Sequence, residues 1–168
     1  MASIDSEPEH RIRRWLNQPT VVAEATSLAR RRLAYVAAAL ATIGVGLGVH
    51  LGGKGLPVGV RDVAGDALWA MMITWWVSAL GPRLARGARA AFALAICYAV
   101  EVSQLFHAPA LDALRRTTVG HLVLGSGFDP RDLAAYALGV LGALVIERTV
   151  AARGRTRHEA KPGVDDAR

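Results

Sequence analysis

The sequence predicts an all-α integral membrane protein: a four-helix transmembrane bundle with a long outer loop between helices three and four. Two observations carry this prediction, namely four long apolar runs and a bulk supplied by small residues. Of the 168 residues 52% are apolar, yet only three Phe, three Tyr and four Trp are present. A water-soluble core of this size normally uses more large side chains, whereas Ala- and Gly-rich helices pack closely in lipid.

The four apolar runs have the lengths that a bilayer requires. They cover residues 33–51, 63–80, 90–106 and 133–146, and residues 150–152 extend the last one. A spanning helix needs about 20 residues, which the first three runs approach directly. The fourth run is long enough if Glu147 and Arg148 extend towards the interface. A soluble bundle would show a polar residue every three or four positions, but the first run offers only Tyr35 and Thr42 before His50.

Positive charge is distributed unevenly around these runs. Six Lys or Arg residues precede the first run, three lie between the second and third, and six follow the fourth. The first and third connections hold two and three. The positive-inside rule therefore predicts a multi-pass plasma-membrane protein with both termini in the cytoplasm.

The domain organisation follows from the same runs. We expect a cytoplasmic N-terminal segment over 1–32, a transmembrane domain over 33–152 and a disordered cytoplasmic tail over 153–168. Ile12, Trp15 and Leu16 share a helical face among arginines, which predicts a short amphipathic helix on the inner leaflet. A solvated tail is the alternative for this segment.

Several function classes receive no support. The net charge of +6 lies between the runs and in the tails, so we expect no nucleic-acid partner. Zinc-ligand, nucleophile-elbow and phosphate-loop motifs are absent from the sequence. We therefore expect no metal and no cofactor, and we favour a non-enzymatic role. The single Cys97 lies inside an apolar run, which predicts a buried, inert thiol.

The remaining polar residues gather at the predicted outer end of the helices. Three helices each carry a pair at one level, Asp62 with Asp66, Glu101 with Gln104, and Asp132 with Tyr136. Ionisable groups inside spans usually face the bundle interior or a water-filled cavity. The candidate ligand-binding residues are Asp66, Glu101, Gln104, His107, Asp112, Arg115, Arg116 and Asp132.

The third connection has about 25 residues, and loops of such length are often functional. Its sequence predicts a short helix over 109–116. We expect the apolar stretch over 119–124 to cover the polar pocket. Arg115 and Arg116 suit an anion such as phosphate or carboxylate.

A purely structural role for the same residues stays open. Asp129 precedes Pro130 and is suited to cap the fourth helix, and Asp62 could cap the second. Glu101 could pair with Arg115 or Arg116 merely to hold the loop. An acid at the C-terminal end of a helix opposes the macrodipole, so capping does not explain Glu101.

Several motifs resemble the domain-of-unknown-function 2809 family of bacterial membrane proteins. They are GDALWA at 65–70, EVSQLFHAP at 101–109, LDALR at 111–115, GSGF at 125–128 and RDLAAYALG at 131–139. The resemblance covers about residues 32–146. More distantly the layout is similar to VanZ-like proteins, with Glu101, Gln104, Asp132 and Gly139 at the matching places, although Tyr136 stands where an Asn is often found. VanZ is associated with glycopeptide (teicoplanin) resistance, so this resemblance implies envelope biology.

Three functions remain as hypotheses. The first is an envelope-associated protein that binds an anionic or lipid-linked ligand, such as a cell-wall precursor, in the outer pocket. The second is a membrane-embedded hydrolase or transferase acting on a lipid phosphate, with Glu101 as acid or base and His107 assisting. The third is a structural or accessory membrane subunit. The lipid bilayer is the one firm partner, and the oligomeric state is left open.

Overall fold

The computed structural model describes residues 19–52, 55–117, 120 and 127–159. Five helices follow one another in this part of the chain. They are α1 Pro19–Gly52, α2 Val58–Leu80, α3 Arg86–Ser103, α4 Pro109–Arg115 and α5 Pro130–Glu159. The prediction of an all-α fold is confirmed, and each apolar run falls on one of the four long helices. The short helix predicted over 109–116 is also present.

Three helices are long and apolar enough to cross a membrane. They are Thr20–Gly52 within α1, Val58–Leu80 and Pro130–Thr156 within α5. Helix α3 differs from them because its 18 residues include Arg86, Arg89 and Glu101. The structure therefore supports a membrane protein with three candidate spans, and a fourth span stays a prediction.

Two helices extend beyond the predicted transmembrane boundaries. Helix α1 begins at Pro19, well before residue 33, because Pro suits the first turn and the Ala, Glu, Leu and Arg residues that follow favour a helix. Helix α5 continues to Glu159, past the predicted start of the tail at Arg153. The predicted amphipathic helix around Trp15, residues 160–168 and nearly all of the stretch 119–124 lie outside the described residues.

Small side chains fill the interior, where α2 packs against α1, α3 and α5. One cluster joins α2, α3 and α5 and a second joins α1, α2 and α5. The buried apolar residues include Ala39, Ala70, Ala79, Ala90, Ala93, Ala135 and Ala143. Cys97 is buried and unbonded, as predicted. Larger apolar side chains such as Leu40, Leu138 and Leu141 are exposed, and this inversion of the soluble pattern fits lipid-facing helices.

Helices α2 and α5 approach most closely at Gly139. A Cβ atom built there would lie 2.0 Å from the carbonyl oxygen of Ala67, so only a glycine permits this crossing. The small residues Ala135, Gly139 and Ala143, which are four positions apart, thus lie on a buried contact surface of α5. Gly44 and Gly48 of α1 share the same spacing but have nothing within 4 Å of a built Cβ, so their spacing forms no helix contact here.

Candidate functional site

The carboxylate of Glu101 is the centre of a buried hydrogen-bond network. Glu101 lies near the end of α3 and is fully buried. Its Oε2 accepts hydrogen bonds from Gln104 Nε2 at 3.0 Å and from the Tyr136 hydroxyl at 3.1 Å. Its Oε1 accepts one from the backbone N–H of Asp129 at 2.7 Å. All three donors are electrically neutral, so they satisfy the carboxylate without pairing its charge.

The start of α5 explains why an acid is tolerated at the end of α3. Asp129 immediately precedes α5, and its Oδ1 accepts a hydrogen bond from the N–H of Arg131 at 2.9 Å. The prediction that Asp129 caps this helix is confirmed. Because Glu101 binds the Asp129 N–H, its carboxylate lies at the positive end of the α5 macrodipole. This offsets the unfavourable macrodipole of α3.

Two further carboxyl groups lie beside Glu101. Asp66 of α2 and Asp132 in the first turn of α5 lie close to each other, and both interact electrostatically with Glu101. We call Asp66, Glu101 and Asp132 the carboxyl cluster. Within the described residues, none of the three forms an ion pair with Lys, Arg or His. The sequence-based prediction that polar residues of three helices meet at one level is thus confirmed for these side chains.

A cavity of about 1360 Å³ opens beside the carboxyl cluster. Its lining combines charged and apolar side chains, which is the composition expected for an amphiphilic ligand. The polar lining includes Arg61, Asp62, Asp66, Gln104, Asp112, Arg115, Arg116, Asp132 and Tyr136. The apolar lining includes Ile43, Leu47, Leu68, Trp69, Met72 and Val100. Six of the eight predicted ligand-binding residues therefore line one cavity, while Glu101 and His107 do not.

Arg115 fastens the loop to the end of α3. Its Nη2 donates to the carbonyl oxygen of Ser103 at 2.7 Å, and its Nη1 donates to that of Phe106 at 3.0 Å and to Asp112 Oδ1 at 3.3 Å. These carbonyls lie at and beyond the helix end, where backbone acceptors lack helical partners. The guanidinium is therefore largely engaged with the protein itself, whereas Arg116 is exposed.

Three capping or pairing predictions are wrong. Asp62 does not cap α2, because the helix already begins at Val58 after Pro57. Arg115 does not pair with Glu101, because its hydrogen bonds are made to Asp112 and to backbone carbonyls. The ion pairs of the described residues likewise include none between Glu101 and Arg116.

His107 lies apart from the buried carboxylates. Its side chain is 76% exposed, and its Nδ1 lies 3.6 Å from Asp112 Oδ1. It does not contribute to the lining of the cavity. The second histidine of the predicted acid–base set, His121, lies outside the described residues.

A second polar cluster, which the sequence patterns did not predict, lies about 18 Å from Glu101 along α3, given the rise per residue of an α-helix. Arg89 is buried and donates from Nη1 to the Tyr35 hydroxyl and from Nη2 to Glu147 Oε1, both at 2.8 Å. The Tyr35 hydroxyl donates to the same Glu147 oxygen at 2.7 Å, and Arg86 Nε lies 3.4 Å from it. We call Tyr35, Arg86, Arg89 and Glu147 the arginine–glutamate network. One sequence pattern could have revealed it, since Tyr35, Arg89 and Glu147 all lie at the predicted cytoplasmic ends of their runs.

The described residues contain no group of three or more His, Cys, Asp or Glu side chains placed to hold a metal ion. The carboxyl cluster itself offers hydrogen-bond acceptors and negative charge. Arg61, which sequence analysis did not select, adds a cation to the cavity wall.

Comparison with known protein families supports the resemblance seen in the motifs. Residues 56–140 match a family model described as "Protein of unknown function (DUF2809)". The matched region contains the whole carboxyl cluster and Arg89, whereas Tyr35 and Glu147 lie outside it. No solved structure matches the chain.

Proposed function

We propose that this chain, which belongs to the DUF2809 family of proteins of unknown function, is an envelope-associated plasma-membrane protein. In this proposal it binds an anionic, lipid-linked ligand in the cavity beside the carboxyl cluster. The observation that carries the proposal is the cavity itself, whose lining combines charged and apolar side chains. A phosphate-bearing lipid, such as a cell-wall precursor, has the same combination of charged and apolar parts.

We infer that α3 is the fourth transmembrane helix. Its 18 residues span about 27 Å, close to the hydrocarbon thickness of about 30 Å. Arg89 and Glu101 are buried and satisfied by neighbouring helices, so neither charge faces lipid. The side chains left exposed on this helix include Phe92, Ile96 and Val102, which suit contact with acyl chains.

The distribution of arginines supports an orientation for this bundle. Four spans place both termini on one side, and the positive-inside rule makes that side the cytoplasm. The arginine–glutamate network then lies in the cytoplasmic half, and the carboxyl cluster lies in the outer half. A ligand would enter the cavity from the outer leaflet or the outer surface.

The cavity offers separate contacts for the two parts of such a ligand. Arg61 and Arg116 line it without forming an ion pair in the described residues, so their guanidinium groups are suited to phosphate. Ile43 and Leu47 of α1, with Met72 of α2, provide an apolar wall for a lipid chain.

Binding is favoured over catalysis by the state of Glu101. A general acid or base must reach the substrate, but Glu101 is fully buried and already accepts three hydrogen bonds. His107, its proposed assistant, contacts Asp112 instead.

The proposal can be tested by identifying the lipids that the full chain retains. The protein would be extracted in native-lipid particles, and its lipids would be compared with bulk membrane lipids by mass spectrometry. Gly46 lines the cavity, and a built Cβ there meets nothing within 4 Å. We therefore expect Gly46→Phe to fill the cavity without disturbing α1, and to abolish enrichment of a phosphate-bearing lipid.

The matched control is Gly44→Phe. Gly44 lies on the same helix, has the same free space and does not line the cavity. This variant should retain the lipid. Gly65→Phe offers an independent block from α2, since Gly65 also lines the cavity and has free space. Identical bulk lipids in the wild type and in all three variants would contradict the proposal.

A further inference from the structure

We propose that the inner wall of the cavity binds a primary ammonium group, so that the ligand is an amine-bearing phospholipid. This inference rests on the proposed function and specifies the headgroup: its phosphate is the anionic group, and the amine adds a positive charge that makes the headgroup zwitterionic. Three features support it: the carboxyl cluster, an unpartnered buried acceptor on Gln104, and the apolar continuation of the cavity. Each feature points to a different part of the ligand.

The first step concerns hydrogen bonds. The donors nearest Glu101 are Gln104 Nε2, the Tyr136 hydroxyl and the Asp129 N–H, and all three are used by its carboxylate. Beside these used donors lies an acceptor that the described part of the chain leaves free. The Oε1 of Gln104 is buried and has no partner among the described residues, although Gln104 lines the cavity and is only 6% exposed.

An unpartnered acceptor at this depth is costly unless a ligand supplies the donor. Exchanging the amide oxygen and nitrogen of Gln104 would not remove the problem. It would turn an oxygen towards Glu101 Oε2 and lose the 3.0 Å hydrogen bond. Arg115 Nε, a buried donor on a residue of the same cavity wall, is also without a partner among the described residues, but no hydrogen bond joins it to Gln104. The donor to Gln104 Oε1 is therefore left for a ligand to supply.

The second step concerns charge. Asp66 and Asp132 line the same cavity, and two neighbouring carboxylates repel each other. The nearest cation of the loop, Arg115, is held by Asp112 and by backbone carbonyls. A positive group placed between the two carboxylates would relieve the repulsion.

An ammonium group meets both requirements. It carries one positive charge and three N–H donors, which match the two aspartates and Gln104 Oε1 in number. A hydroxyl group offers one donor and no charge. A metal ion is less suitable, because the described residues provide no group of three His, Cys, Asp or Glu ligands arranged for one.

The rest of the cavity identifies the molecule that carries the amine. Ile43, Leu47 and Met72 form an apolar wall in the same cavity as Asp66, so the amine is attached to a lipid rather than free in solution. Arg61 lines this cavity too, and it is placed to contact a phosphate. A headgroup with a phosphate and a primary amine matches both charges.

The test compares three lipids with identical acyl chains on the full chain in detergent. Phosphatidylethanolamine carries a primary ammonium, phosphatidylcholine carries a methylated one without N–H, and phosphatidylglycerol carries hydroxyl groups. Native mass spectrometry gives the dissociation constant of each. We expect phosphatidylethanolamine to bind at least about tenfold more tightly than the other two, since hydrogen bonds to charged groups are the strong ones.

The double variant Asp66→Asn and Asp132→Asn should remove this preference while leaving the other two lipids bound as before. Glu24→Gln is its control, because Glu24 is an exposed carboxylate that pairs with Arg83 and does not line the cavity. It should change the preference by less than about twofold. Circular dichroism would verify that both variants are folded.

The outcomes separate the two proposals. Equal binding of the three lipids, lost in Gly46→Phe, would overturn the ammonium site and leave the lipid cavity standing. Lipid binding unaffected by Gly46→Phe would overturn both. Soluble phosphoethanolamine binding as tightly as the lipid would overturn the lipid assignment, because the apolar wall would then contribute nothing.

Discussion

The carboxyl cluster and the arginine–glutamate network are both buried and polar, but their charges are arranged differently. In the network, Arg89 pairs with Glu147 at 2.8 Å, and Tyr35 bonds to both. In the cluster, three carboxyl groups meet with neutral donors and no paired cation among the described residues.

The buried atoms left without partners sharpen this contrast. In the network that atom is Arg89 Nε, a donor on a cation already paired with Glu147. In the cluster it is Gln104 Oε1, an acceptor beside acids. The network therefore joins α1, α3 and α5 through a paired cation, whereas the cluster lacks a positive donor. This difference is why we place ligand binding at the cluster.

The largest expected effect is on the network. Arg89→Ala leaves Glu147 without its closest cation and also removes the contact of the guanidinium with the Tyr35 ring, 5.2 Å from the ring centroid. We expect a loss of about 3 kcal/mol in the free energy of unfolding, measured by thermal unfolding in detergent. The double variant Arg89→Met and Glu147→Leu should recover most of it. A double variant as unstable as Arg89→Ala would show that the ion pair stabilises the protein by more than the neutralisation of its two charges.

A slightly smaller effect is expected where α5 crosses α2. Gly139→Ala places a methyl group against the backbone of Ala67 and must separate the helices that hold Asp66 and Asp132 together. We expect a loss of about 2 kcal/mol, measured as a lower Tm. In Gly142→Ala the new Cβ meets only the flexible end of Met71, so its Tm should change little. Equal losses in the two variants would contradict the close crossing.

Removing one neutral donor from Glu101 should cost less. Tyr136→Phe deletes the hydroxyl that bonds to Glu101 Oε2 at 3.1 Å, and we expect a loss of about 1.5 kcal/mol. Tyr98→Phe is the control, because the Tyr98 hydroxyl is exposed and bonds only to the Leu133 carbonyl at 3.2 Å. The two Tm values should differ clearly, and a Tyr136→Phe protein as stable as the control would mean that Glu101 does not depend on this donor.

The smallest expected change in stability is at the carboxyl cluster, and its sign is opposite to that of the matching substitution in the arginine–glutamate network. Asp66→Asn removes one of two facing carboxylates, so lipid-free protein should be as stable as the wild type or more stable by up to about 1 kcal/mol. Glu147→Gln removes the partner of Arg89 and should lower the Tm. If both substitutions lowered the Tm equally, the contrast between the two regions would be refuted.

The sequence predicted the helices and the level of the site well, because apolar runs and buried acids leave clear patterns. Asp129 before Pro130 marked the start of α5, and the acids of three helices lay near corresponding ends of their runs. It could not predict the partners of Arg115. A cation near both carboxylates and free helix carbonyls has several possible partners, and the choice depends on how the chain turns after Ser103.

Other differences have local causes. The prediction that Asp62 caps α2 was wrong because the backbone N–H groups of Val60 and Arg61 already bond to the carbonyl of Pro57, so the helix starts one turn earlier. The network was missed because Arg89 was counted as part of a connection. Its burial depends on Glu147 and Tyr35, which are distant in sequence from Arg89.

The hydrogen bond between Glu101 and the Asp129 N–H closes the base of the long connection between α3 and α5. The residues between these two points form a loop whose ends are fixed, and lengthening such a loop costs little free energy. Gly127 is exposed and has free space around it. A short epitope inserted beside Gly127 would therefore serve as a label that leaves the carboxyl cluster intact and reveals which face of the membrane it occupies.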